Sequence, residues 1–259
     1  IRRRQPINPA CAWVNYVRSH DDIGWTFADE DAAELGINGS DHRRFLNAFY
    51  TNRFDGSFAR GVPFQFNPKT GDCRVSGTTA SLTGVEAGDD AGIARILLLY
   101  AITFSAGGIP LLPLGDEVGQ LNDLSYIDDP ATAKDSRWVG RPHRPHARYA
   151  QRHDPSTAAG QIYAGIRRLI AARSTATALS GNAIQGINTA NPHILGYLRG
   201  PQADGIYVLA NFADVAQAIA PEQLADIPPN MVDLISGAAF DVRVGMTLAP
   251  HQIVWLTAP

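Results

Sequence analysis

Cysteine is nearly absent from these 259 residues. Cys11 and Cys73 are the only two, and neither sits in a Cys-x-x-Cys spacing. That excludes a disulfide-stapled scaffold and the common zinc and redox motifs. No uninterrupted apolar run approaches the length of about 18 residues that a membrane-spanning helix needs. Charge is sparse too, at 18% of residues with a formal net of −3, so nucleic acid is not the expected partner. Internal repeats and low-complexity tracts are lacking. What is there is a chain 45% hydrophobic, enough to fill a sizeable core in one large or two smaller domains.

The chain begins at Ile1, without an initiator Met. Arg2–Arg4 are followed by Gln-Pro-Ile-Asn-Pro and not by an apolar stretch, so the run does not read as a secretory signal. The expectation is a processed chain or the later part of a longer one. A cytoplasmic location is favoured, though a lost leader leaves secretion open.

Four textures follow one another. Cys11 to His20, aromatic and β-branched with a polar end, reads as a short strand. The stretch from Asp22 to Gly84 is rich in Gly, Asn, Asp, Arg and Phe and reads as a long excursion, which in compact domains is usually functional. Ala91–Phe104 is apolar and long enough for a buried helix, with Asp89 and Asp90 at its start and Gly107-Gly108 at its end. Ile109–Leu114 reads as a short buried strand, weakened by Pro110 and Pro113. Asp154-Pro155 reads as a helix cap, ahead of Ile162, Ile166, Leu169 and Ile170 on one helical face. Strand and helix thus alternate as in a parallel α/β sheet.

From about Gly181 helical periodicity disappears. Ile194–Leu198, Ile206–Phe212, Met231–Ile235 and Gln252–Leu256 are strand-like runs between turn residues, an antiparallel all-β texture. Charge shifts as well: Lys134 to Arg173 holds nine Lys/Arg against Asp135 and Asp154, whereas the remainder has six acids against Arg199 and Arg243. A boundary near residue 178 fits both changes.

The densest chemical signal is Arg18-Ser19-His20-Asp21-Asp22. Such a cluster is costly to bury without partners, so it is either a polar site or plain surface. In its context, Val17 to Trp25 resembles the signature around a catalytic carboxylate of the α-amylase superfamily, the family-13 glycoside hydrolases. More narrowly, the chain is similar to the amylosucrase and sucrose hydrolase branch over essentially its whole length. Trp25–Asp31, Asn52–Gly61, Thr70–Gly77 and Asp154–Gly160 carry that likeness.

The resemblance implies an α/β fold: the C-terminal part of a (β/α)8 TIM barrel with a long loop insertion, followed by an all-β antiparallel sandwich. Residues 1–22 would be a late barrel strand, 23–88 the insertion, 89–177 the last barrel helices and strand, and 178–259 the sandwich. It implies a retaining α-glucosylase that splits sucrose, releases fructose and passes glucose to water or to a growing α-1,4-glucan. Asp21 would stabilise the transition state and His20 would hydrogen-bond the same glucosyl ring. Asp22 and Arg74 would contact the fructosyl side. Arg137 would close the glucosyl pocket by pairing with a carboxylate from an earlier part of the chain. Arg43 and Phe45 would line the acceptor channel, where Arg44 stands in place of an expected uncharged amide. The nucleophile and the acid/base carboxyl group would lie before Ile1, so this piece is expected to be inactive without the preceding portion.

Other readings of the same residues remain. Arg137 also reads as a surface arginine of a basic loop, and Arg74 as a side chain snorkelling at a turn. Asp116-Glu117 is a carboxylate pair not expected to be catalytic, and Cys73 reads as a small packed residue. The run from Arg141 to His153 reads as a solvated loop, since it has no glycine-rich phosphate cradle. Asp128-Asp129 does not make a calcium cage. No metal and no organic cofactor is expected. The alternatives in function are another α-glucan-active family-13 enzyme, or a non-catalytic carbohydrate-binding module using Trp13, Trp25, Trp138 and Trp255, residues whose scatter favours packing.

Overall fold

The structure is a computed structural model that describes Ile7, Asn8 and residues 10–259. The arginine run at 2–4 lies outside the described residues. In chain order the elements are β1 (Val14–Asn15), α1 (Asp29–Glu34), α2 (Gly39–Tyr50), β2 (Val62–Phe64), β3 (Arg74–Ser76), α3 (Thr79–Leu82), α4 (Gly92–Ser105), β4 (Ile109–Pro110), α5 (His146–Gln151) and α6 (Ala158–Thr175). Then come β5 (Gln185–Ile187), β6 (Ile194–Arg199), β7 (Ile206–Asn211), β8 (Gln217–Ile219), β9 (Asn230–Asp233), β10 (Ala239–Asp241), β11 (Met246–Leu248) and β12 (Ile253–Thr257). Short 3-10 turns lie between them, the most relevant at Ser136–Gly140.

Two compact units emerge. The first comprises the described residues up to 17, with 97–111 and 164–259, the second 18–96 and 112–163. The first thus groups 164–177 with the sheet that follows.

The first unit is dominated by a six-stranded antiparallel sheet in the order β10-β9-β12-β7-β6-β5. β7 is buried along its whole length. Its residues Tyr207 and Leu209 join Ile194, Leu198, Val254 and Leu256 in an apolar cluster completed by Ile219, Met246 and Leu248 of the small β8–β11 sheet. The alternate residues of these strands serve the other face. There Tyr197 Oη and Ser105 Oγ lie 2.6 Å apart. The fully buried Arg199 donates to the carbonyls of Ser105, Leu179, Ser180, Gly181 and Ala183.

The same unit holds a parallel pair, β1 with β4, registered Val14 on Ile109. The strand expected over Cys11–His20 is laddered only at Val14–Asn15. The strand expected over Ile109–Leu114 is laddered only at Ile109–Pro110, with Leu111 N still donating to Asn15 O at 2.8 Å. Gly108 makes the approach possible: at φ +119, a side chain there would meet the carbonyl oxygen of Trp13 at 2.4 Å.

In the second unit the excursion is structured. It contains α1, α2, the β2–β3 hairpin and α3 around Ala59, Val75, Ala80 and Leu82. α2 is capped by Asn38, whose side chain accepts from Asp41 N. α4 begins one residue later than the pattern suggests, and Asp89 accepts from Ala91 N at 2.9 Å while pairing with Arg95 at 2.8 Å.

Asp154 does not cap α6. Its carboxylate instead closes a turn on Ser156, and the cap is Thr157, whose Oγ1 accepts from Gly160 N at 3.0 Å. Gly160 is required there, because a Cβ would fall 1.9 Å from the carbonyl oxygen of Asp154. No helix among the described residues is long and apolar enough to cross a membrane.

Candidate functional site

Three backbone segments of the second unit build the site. The β2–β3 hairpin pairs Phe64 with Arg74, closed by a turn in which Asn67 N donates to Asp72 O at 2.8 Å. Ile23 adds itself to the hairpin's edge by exchanging backbone hydrogen bonds of 2.7 and 3.0 Å with Val75. This sets Asp22 beside Arg74, with Oδ1 and Nη1 3.3 Å apart. The third segment is the turn Ser136–Gly140, tied to the hairpin by Ser136 Oγ donating to Pro63 O at 2.9 Å.

The turn is capped by Asp135, which accepts from Arg137 N at 3.1 Å and takes the side chain of Arg137 in a two-point fork, Nε at 2.9 Å and Nη2 at 2.8 Å. These hydrogen bonds hold the Asp135 carboxyl below the usual aspartate range and raise the Arg137 guanidinium. Arg137 lies over the ring of Phe64, 4.7 Å from its centre, and turns its remaining Nη1 to within 3.5 Å of Asp21 Oδ1. The carboxylate that Arg137 forks is thus one of its own turn.

Asp21 is the centre of the group. Oδ1 accepts from Arg141 Nη2 at 2.6 Å, and Oδ2 lies 3.8 Å from His20 Nε2. Its side chain is 45% exposed and that of His20 74%, so both can meet a solute. Ion pairs this open to water contribute about 0–1 kcal/mol. The pairing of Asp21 therefore fixes direction more than it stabilises the fold.

Beneath it the logic reverses. Arg18 is 4% exposed and its partner Asp116 has a fully buried side chain, with Nη2 to Oδ1 at 2.8 Å and Thr79 Oγ1 donating to Asp116 Oδ2 at 2.5 Å. Removing one partner of a buried pair of this kind costs about 3–5 kcal/mol.

The structure therefore brings His20, Asp21, Asp22, Arg74 and Arg137 into one neighbourhood. Arg43 and Phe45 sit on α2. Arg43 pairs with Asp29 at 2.6 Å and lies over Phe27, while Phe45 is 39% exposed and packs against His42, Phe49 and Phe54. α2 is linked to the hairpin through Asn47, whose Nδ2 donates to Asp72 Oδ1 at 3.1 Å and whose Oδ1 accepts from Trp25 at 2.7 Å. Cys73 is buried and burial pushes its thiol up, which disfavours the nucleophilic thiolate. Glu117 accepts from Gly115 N and from Tyr149 Oη. Burial and that carboxylate push the Tyr149 phenol up to about 12.

Sequence reasoning names Arg18 within the polar cluster, Asp116 beside Glu117 and Asp135 beside Arg137 without giving them these partners, and it misses Arg141. Arg141 was read with the solvated basic run, yet it lies four residues after Arg137, across a single turn. Among the described residues no group of three or more metal-ligating side chains stands together.

No family profile matches the chain. Solved structures do. AmyP bound to maltotriose aligns with a TM-score of 0.53 at 16% identity over 69% of this chain and 38% of that one. AmyP bound to maltose gives 0.51 at 17% identity over the same shares. The trehalulose synthase MutB from Pseudomonas mesoacidophila MX-45 gives 0.48 at 20% identity, covering 68% and 41%. The chain spans about two fifths of the length of these structures. The two AmyP alignments show that 69% of this mixed α/β chain shares its fold with a part of AmyP.

Proposed function

We propose that the chain is the later part of a retaining α-glucosylase of the α-amylase superfamily, of the amylosucrase and sucrose hydrolase type. In this reading β1 and β4 are strands of a TIM barrel and the six-stranded sheet belongs to a C-terminal sandwich. Sucrose binds with its glucosyl ring against His20 and Asp21 and its fructosyl ring toward Asp22 and Arg74. Retention of configuration needs two further carboxyl groups roughly 5–5.5 Å apart, a nucleophile and an acid/base, which the preceding portion of the polypeptide supplies. As the ring flattens and positive charge develops, the Asp21 carboxylate, held in place beforehand, stabilises it. Water or the 4-hydroxyl of an α-glucan then resolves the glucosyl-enzyme.

The observation that carries this reading is the convergence on Asp21. A half-exposed carboxylate is held by Arg141 and faced by Arg137, with His20 beside it and the Asp22–Arg74 pair adjacent. A group held in one direction yet open to water suits a sugar hydroxyl better than it suits packing.

A second reading is an enzyme acting on malto-oligosaccharides, favoured by the maltose and maltotriose bound to AmyP. Incubation of the complete polypeptide with sucrose and, separately, with maltotriose distinguishes them. Fructose release from sucrose supports the first, and cleavage of maltotriose alone transfers the proposal to the second. Free glucose against insoluble α-glucan separates hydrolysis from polymer formation. Asp21→Asn should lower turnover by about 10²–10³-fold or more, the scale of losing one preorganised charge-stabilising group. Near-normal turnover removes Asp21 from this role.

A further inference from the structure

We propose that Arg141 is a positioning residue for Asp21, one half of a reciprocal brace between two backbone segments. The proposal rests on the reading of Asp21 given above.

Segment 18–22 and turn 136–141 each contribute one arginine to the other's backbone. Arg18, from the first, donates through Nη1 to Gly140 O at 3.3 Å and to Ser19 O at 3.1 Å. Arg141, following the turn, donates through Nε to His20 O at 2.9 Å and through Nη2 to Asp21 Oδ1 at 2.6 Å. The two ties cross the same gap in opposite directions. Arg18 is anchored below by the buried Asp116. Arg141 is steadied by the ring of Trp138, whose centre lies 5.2 Å from its guanidinium carbon, and only 22% of its side chain is exposed.

The two acceptors of Arg141 differ in kind, and that matters. The His20 carbonyl belongs to the main chain and fixes where the guanidinium sits. The Asp21 carboxylate is a side chain free to rotate, and Nη2 then fixes its rotamer. A planar guanidinium links the two rigidly, whereas the three donors of an ammonium on a flexible stem hold no fixed geometry between them. Arg141 hence determines which way Asp21 points. Arg137, with two of its nitrogens held by Asp135, meets Asp21 only at 3.5 Å and does not fix it.

The test uses the complete, active polypeptide. Arg141→Gln should lower kcat by about 10²-fold, the loss expected when a reacting group is displaced by about 1 Å, with KM within a factor of about three. Arg141→Lys should recover about tenfold of that loss, and it keeps the test open if the glutamine variant folds poorly. In the double variant Asp21→Asn/Arg141→Gln the rate should equal that of Asp21→Asn alone, because a positioning residue has nothing left to position. Unchanged kcat in Arg141→Gln, a raised KM with kcat kept, or losses that multiply in the double variant would each overturn the proposal. Full activity of Asp21→Asn instead sinks the reading of Asp21 itself, and the two failures are thereby told apart.

Discussion

At the scale of single residues, the site separates groups that hold the fold from groups that face a solute. Arg18 and Asp116 are sealed and mutually dependent, whereas Asp21 and His20 are open. Glu117 and Tyr149 form a third kind of pair, and they can be checked by titration. The Tyr149 phenol is pushed up to about 12 by burial first and by Glu117 second, and burial alone brings Tyr197 to about 12 as well. A phenol whose folded pKa is raised stabilises the fold below its ordinary value near about 10, and that contribution is lost as pH rises through the folded value. Alkaline titration followed by phenolate absorbance should show part of the late-titrating absorbance moving toward lower pH in Glu117→Gln, because the carboxylate goes and burial stays. A titration curve unmoved in the variant would remove the carboxylate as a contributor. Asp21 and its neighbours were legible because a short string carries them. Arg141 was not, since in a run where arginine and histidine recur nothing in the string marks the one side chain that turns inward.

Elements were read from the sequence where they are long and regular. α4 and the longer strands of the sheet lie within a residue or two of their patterns, because their apolar periods extend over several repeats. Strands of three residues, β5, β8, β10 and β11, left no trace, as alternation cannot show itself over one and a half periods. The start of α6 is more instructive. Asp154-Pro155 has every mark of a helix beginning, yet the Asp154 side chain bonds Ser156 and Thr157 takes the cap. Both residues compete for nearby backbone donors, and the one three positions before the Gly160 N–H wins. Thr157→Ala should accordingly lower stability by about 1 kcal/mol, read by urea denaturation, and Asp154→Ala should cost less. Equal losses, or the reverse order, would restore Asp154 as the cap.

For the molecule as a whole, the sequence made the antiparallel sheet visible and left the parallel part nearly invisible. The only parallel ladder among the described residues joins two strands of two residues each, β1 and β4, and it leaves Val14 and Ile109 more than half exposed. Parallel strands ordinarily lie buried on both faces. Under the proposed function these surfaces, and the missing pair of reacting carboxyl groups, are completed by the preceding portion of the polypeptide. The 259-residue chain alone should release no fructose from sucrose, and the complete polypeptide should. Turnover by the isolated chain would refute that division of labour.

The two thiols offer a clock for the hairpin. Cys11 is open to reagent, while Cys73 is shut in beside Arg53, one residue before the arginine that meets Asp22. Alkylation should therefore proceed in two phases. The slow one records how often this hairpin breathes, so ageing, heat or a bound sugar can be followed there without any assay of turnover.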